Sequence, residues 1–227
     1  MKICTLCPRM CAVDRKSGER GICGQTTEIK VARAALHFWE EPCISGEMGS
    51  GAVFFSGCAL HCVFCQNENI ANGTAGKVIS TERLGEIFLE LQEKGANNIN
   101  LVTPGQFVPQ IIKAVELARN QNLKIPIVYN TSSYENVDTI RSLEGIVDIY
   151  LPDFKYFDTA LSAKYSHAPD YPAVAKAVIA EMVRQTGAAV FENGEDSLMK
   201  RGTIVRHLIL PGCTKDSKDR KSTRLNS

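Results

Sequence analysis

Nine cysteines in 227 residues are the chemistry-bearing feature of this chain, and their placement is uneven. Four fall at Cys4, Cys7, Cys11 and Cys23, three at Cys58, Cys62 and Cys65, while Cys43 and Cys213 stand alone. The N-terminus, Met1-Lys2-Ile3-Cys4-Thr5, has no apolar core of a secretory signal, so the thiols are expected to remain reduced in a cytoplasmic setting. Thiols clustered at short spacing are what metal ligation requires, because the loop between ligands must fold around one centre. Cys58-x3-Cys62-x2-Cys65 supplies three thiolates, enough to hold three irons of a cubane and leave the fourth iron open. A catalytic metal centre keeps such an opening, and a structural one is closed. The first group, Cys4-x2-Cys7-x3-Cys11-x11-Cys23, reads as a closed shell for a second metal, zinc or an auxiliary iron–sulfur cluster. Cys43 and Cys213 read as small buried hydrophobes.

The elements that must position these residues follow from periodicity. Residues 1–48 form a Cys-, Gly- and Arg-rich metal-binding leader with little periodicity. From Gly51 onward strand and helix signals alternate. Ala52-Val53-Phe54-Phe55 is a buried-strand run directly before the cysteine triad. Ser80 caps a helix with Leu84, Ile87, Phe88 and Leu91 at i, i+3, i+4, i+7, and Gly95 follows its end. Strands are expected at 99–102, 125–129, 147–151 and 203–210, with helices at 108–118, 135–143 and 172–185. Five such units predict an α/β fold with a parallel sheet, an open or partial (β/α) barrel over 49–213. No GxGxxG follows a strand, which argues against dinucleotide binding. Residues 214–227 hold one apolar residue, Leu225, and read as a disordered or non-native polar tail. The last seven residues resemble a translated linker, so the natural barrel is expected to continue, leaving the fifth strand with an exposed edge here.

With 26 Lys and Arg against 25 Asp and Glu, interspersed, the chain has no basic stripe for nucleic acid. Its apolar runs are too short to span a bilayer.

The stretch Cys58-Ala-Leu-His-Cys62-Val-Phe64-Cys65, with an aromatic before the last cysteine, resembles the signature of the radical S-adenosylmethionine (radical SAM) superfamily. Cys4–Cys11, Trp39–Gly46, Gly51–Asn67, Tyr150–Lys155 and Arg206–Gly212 are similar to the branch related to pyruvate formate-lyase activating enzymes. The resemblance implies a [4Fe–4S] cluster that binds SAM and cleaves it to a 5′-deoxyadenosyl radical for hydrogen abstraction. It implies an electron donor such as flavodoxin or ferredoxin, and a protein substrate in the manner of glycyl radical enzyme activation. In such enzymes strand ends contact SAM. By position, Thr103 and Gly105 would receive its amino group, although the usual second Gly and Glu are absent. Asn130 and Ser132 share a strand face toward it, Asp153 and Lys155 would hold its methionyl or ribose end, and Arg206 its carboxylate. His207 is expected on the opposite face, against helices. Trp39, Glu40 and Glu41 read equally as substrate surface or as rim. The rival reading is a non-enzymatic zinc or iron–sulfur module, with Cys58, His61, Cys62 and Cys65 holding zinc.

Overall fold

The computed structural model describes residues 3–193 and 197–222, with side chains through residue 218. The elements are β1 (Ile29–His37), α1 (Pro42–Ser45), β2 (Ser50–Phe55), α2 (Glu68–Ala71), β3 (Lys77–Ile79), α3 (Thr81–Glu93), β4 (Ile99–Val102), α4 (Val108–Asn120), β5 (Ile127–Thr131), α5 (Val137–Arg141), β6 (Ile149–Pro152), α6 (Thr159–Ser166), α7 (Tyr171–Thr186), β7 (Val190–Phe191), β8 (Met199–Thr203) and α8 (Thr214–Ser222). They build one eight-stranded sheet in the order β3-β1-β2-β4-β5-β6-β8-β7. β2, β4, β5, β6 and β8 run parallel, which makes the partial β/α barrel expected from the alternating pattern.

Register follows from the apolar residues. Val53, Leu101, Tyr129 and Tyr150 stand side by side across β2, β4, β5 and β6 and belong to the core beneath the helices. The alternate residues Val128, Ile149 and Leu151 face the inside of the barrel, where Ile44 of α1 fills the space between them. Asn98 donates to the Ile44 carbonyl at 2.7 Å and Asn97 to that of Ser45 at 2.6 Å, fixing this plug to the β4 entrance. α3 forms as its spacing dictates: Leu84, Ile87, Phe88 and Leu91 are buried, each contributing about 1.5–3 kcal/mol. The Ser80 hydroxyl accepts the Arg83 N–H at 3.1 Å.

Four expectations are corrected. The leader is not irregular throughout, because Ile29–His37 forms a strand between β2 and β3, antiparallel to both. The fifth parallel strand is Met199–Thr203 rather than 203–210. Beyond it the Ile204 N–H reaches the Tyr150 carbonyl at 2.9 Å and Arg206 pairs with Asp153 in a single bridge. Its outer edge is covered by β7. The polar tail is helical over Thr214–Ser222, held where Asp216 accepts the backbone N–H groups of Phe157 and Asp158 at 2.8 and 2.7 Å. Residues 223–227, most of the segment read as non-native, lie outside the described residues. Among the described residues no helix is long and apolar enough to cross a membrane.

Candidate active site

The parallel strands end together, and the residues after them line one cleft of about 530 Å³. β2 delivers the cysteine loop. Gly57 makes the turn at φ 89°, and a side chain there would lie 2.4 Å from the Cys23 carbonyl. The loop is then pinned at many points. Leu60 is fully buried among Tyr156, Tyr171 and neighbouring side chains, and Phe64 meets Tyr156 and Tyr165 edge-on, both with centroids 6.4 Å apart. Gln106 Nε2 reaches the carbonyls of Ser56, Gly57 and Thr103 at 2.9, 3.1 and 2.9 Å, tying the turns after β2 and β4 together.

Cys58, Cys62 and Cys65 all line this cleft. Burial pushes the Cys58 thiol up, opposed by the N–H groups of Leu60 and His61, and Cys62 and Cys65 lie within its electrostatic reach. Leu60 N–H donates to Cys58 Sγ at 3.4 Å and the Ser166 hydroxyl to Cys62 Sγ at 2.9 Å. Among the described residues no three His, Cys, Asp or Glu side chains converge closely enough to hold a single ion. Three thiolates on one loop are the donor set a cubane uses, one sulfur for each of three irons. His61 turns its Nε2 toward the Ile22 carbonyl oxygen, 2.8 Å away.

Asp153, Lys155 and Arg206 meet in this cleft. Asp153 accepts from Lys155 Nζ at 2.6 Å through one oxygen and from Arg206 Nε at 3.0 Å through the other. Burial works against the Lys155 ammonium, but Asp153 and the nearby Cys62 and Cys58 outweigh it and hold its pKa above the ordinary value. Arg206 also donates to Asn130 Oδ1 and Glu40 Oε1, each at 2.7 Å. Glu40 Oε2 accepts from Asn100 and Asn130, each at 2.9 Å. Glu40 is thus the hub that sequence reading left undecided; it sits on the loop after β1, 166 residues from its partner arginine. Trp39 beside it is 89% exposed.

Thr103, Asn130 and Ser132 line the cleft too. Thr103 and Ser133 hold φ of 56° and 63°, a left-handed conformation that costs a non-glycine residue of order 1 kcal/mol and marks these strand ends as constrained by their surroundings. Tyr171, fully buried on α7, joins the turns after β5 and β6: its hydroxyl accepts from Lys155 N–H at 2.9 Å and lies 2.8 and 2.9 Å from the carbonyls of Asp153 and Ser132. His207 lines the cleft, against the expectation that it faces the helices. Gly105 does not line it; a side chain there would strike the Glu135 carboxylate at 2.9 Å, on the wall of a second cavity.

That second cavity is lined by Cys4, Cys7, Cys11 and Cys23 and abuts the first, sharing Cys58, Thr103, Thr131 and Ser132. Burial pushes the Cys7 thiol up to about 12. Glu135, buried on the same wall, accepts the hydroxyls of Tyr129 and Thr131 at 2.7 and 2.5 Å.

Comparison with known proteins bears on this arrangement. Residues 52–192 match the Radical SAM superfamily. An uncharacterized protein of Methanocaldococcus jannaschii, MJ0674, is 27% identical over 217 residues, which cover 92% of this chain and 57% of that protein. The chain spans little more than half the length of this relative.

Proposed function

The chain belongs to the radical SAM superfamily, and from that premise we propose that Cys58, Cys62 and Cys65 hold a [4Fe–4S] cluster whose open iron binds SAM, in an enzyme that abstracts hydrogen from its substrate. The observation that carries the reading is the meeting of three thiols with the Asp153, Lys155 and Arg206 group in one cleft at the strand ends. When bound, the cluster supplies one electron that splits SAM into methionine and a 5′-deoxyadenosyl radical, which takes a hydrogen atom from the substrate.

The residues of the chain bind and orient. Lys155 would hold the methionyl or ribose end of SAM and Arg206 its carboxylate, and Asp153 keeps both side chains aimed by bonding each at once. Asn130 and Ser132 would offer polar side chains to bound SAM, and Thr103 would stand beside its amino end, since all three line the same cleft. Leu60, Phe64 and Tyr156 close the floor beneath the cysteine loop and keep water from it. The electron comes from a small donor protein of the flavodoxin or ferredoxin kind. The finer reading, hydrogen abstraction from a glycine of a partner protein, rests on the likeness of Tyr150–Lys155 and Arg206–Gly212 to activating enzymes.

The test is anaerobic reconstitution with iron and sulfide, dithionite reduction, and chromatography for 5′-deoxyadenosine. The native protein forms it from SAM, and Cys62→Ala does not. A colourless protein that keeps stoichiometric zinc on these thiols and yields no deoxyadenosine overturns the assignment in favour of a metal-binding module.

A further inference from the structure

We propose that Cys4, Cys7, Cys11 and Cys23 form a closed four-thiolate metal centre that clamps the N-terminal segment across the loop carrying Cys58, Cys62 and Cys65.

Three observations carry this. The four sulfurs belong to one site: all line the same cavity, Cys7 lies within electrostatic reach of Cys4 and Cys23, and Cys23 within reach of Cys4 and Cys11. Gly21 leaves them room, since a side chain there would fall 2.9 Å from Cys11 Sγ and 3.8 Å from Cys23 Sγ. Second, residues 3–28 contain no fully buried hydrophobic side chain; Arg15 and Gln25 are the buried ones, and the regular structure there is one 3₁₀ turn, Arg15–Ser17. A segment without an apolar core needs other ties: Asn136 and Thr139 hold the carbonyls of Thr5 and Leu6 at 2.6 and 2.8 Å, and four free thiols are present to add a cross-link. Third, the segment between the ligands grips the catalytic loop. Arg9, between Cys7 and Cys11, donates to the carbonyls of Ala59, Ser166 and His167 at 2.8, 3.0 and 2.5 Å and lies over the Tyr134 ring at 5.1 Å. On the other side Ile22 meets His61, and the Cys23 carbonyl abuts Gly57. The 57–61 loop therefore runs between two stretches of chain that share one set of ligands.

The donor set suits a thiophilic metal, and two forms share that chemistry: zinc, or a second cubane. Arg15, with Nη1 3.9 Å from Cys4 Sγ, offsets the negative charge such a centre carries.

The experiment removes the first site. A Cys58→Ala/Cys62→Ala/Cys65→Ala protein, purified anaerobically, is analysed for iron, sulfide and zinc. The proposal requires a full complement per chain, about one zinc or about four iron with matching sulfide. It also requires at least a tenfold fall in that complement when Cys7→Ser is added. Metal well below one centre in the triple variant, or metal kept after Cys7→Ser, overturns it. Should the quadruple variant be insoluble, X-ray absorption of the triple variant decides: four sulfur neighbours support the centre, and oxygen or nitrogen neighbours overturn it. The clamp is read by hydrogen exchange in the native protein. Arg9→Ala speeds exchange in 57–62 by tenfold or more with the N-terminal metal retained, and unchanged exchange there removes the clamp. Because the triple variant cannot hold the first cluster, this result stands apart from the outcome of the SAM assay.

Discussion

Glu40 and Arg206 should be energetically coupled, and the size of the coupling can be worked from their surroundings. The Nη1–Oε1 distance is 2.7 Å, and the side chains are 11% and 25% exposed. Two unit charges about 4 Å apart in an effective dielectric near 20 attract by about 4 kcal/mol before desolvation. Removing both from bulk water cancels much of that, and charge-assisted hydrogen bonds retain about 1.5–3 kcal/mol. We expect a coupling of about 2 kcal/mol. The assay is a double-mutant cycle with Glu40→Gln, Arg206→Gln and the pair, unfolded by urea at equal metal loading and followed by circular dichroism. Each substitution costs more stability in the native chain than in a chain already lacking the other partner. A coupling below about 0.5 kcal/mol would refute the reasoning, since it would mean that the hub at the mouth of the cleft is a surface contact screened by water.

Other predictions follow from single contacts. Tyr171→Phe strips the acceptor from a buried Lys155 N–H and should cost about 2 kcal/mol, roughly 4–8 °C in Tm, measurable by calorimetry. The same variant should bind SAM more weakly, because the turns after β5 and β6 lose their common tie. Glu181 on α7 is held down to about 2 by Arg184 and Gln185. A depressed carboxyl stabilises the fold above its ordinary pKa and loses that contribution as pH falls toward its folded value, so Glu181→Gln should lower Tm at pH 7 and converge with the native protein near pH 2. Leu60→Ala opens a cavity under the cysteine loop, at a cost of about 2–5 kcal/mol by urea unfolding; a smaller loss would show the loop to be held by backbone contacts alone.

What could be read in advance was local. α3 is written in its i, i+3, i+4 spacing and its Ser80 cap, and β4 to β6 are short apolar runs that can only be interior strands. The cysteine triad shows in its C-x3-C-x2-C spacing and Asp153 with Lys155 in strand alternation, and these five line the cleft together with Arg206. What stayed hidden depends on distance along the chain. β1 is half exposed and has mixed polarity, so its pattern Ile29-Lys-Val-Ala-Arg matches no period cleanly. Glu40 gains meaning only from residues 60, 90 and 166 positions away. α8 has almost no apolar residue, and a buried carboxylate docks it instead. Gly105 faces the N-terminal cavity because a helical turn begins at that residue, redirecting the chain before it can follow the strand line.

The contact between Gly57 and the Cys23 carbonyl has a consequence for how such a chain can change. At 2.4 Å from the place where a methyl group would begin, two stretches of backbone touch with nothing between them. Exchange of this glycine for any other residue would force the N-terminal segment outward and twist the cysteine turn in the same motion. Sequence drift on either side is therefore confined to paired steps. Chimaeras joined between residues 23 and 57 should keep the shape of the triad only where the second parent supplies glycine at position 57.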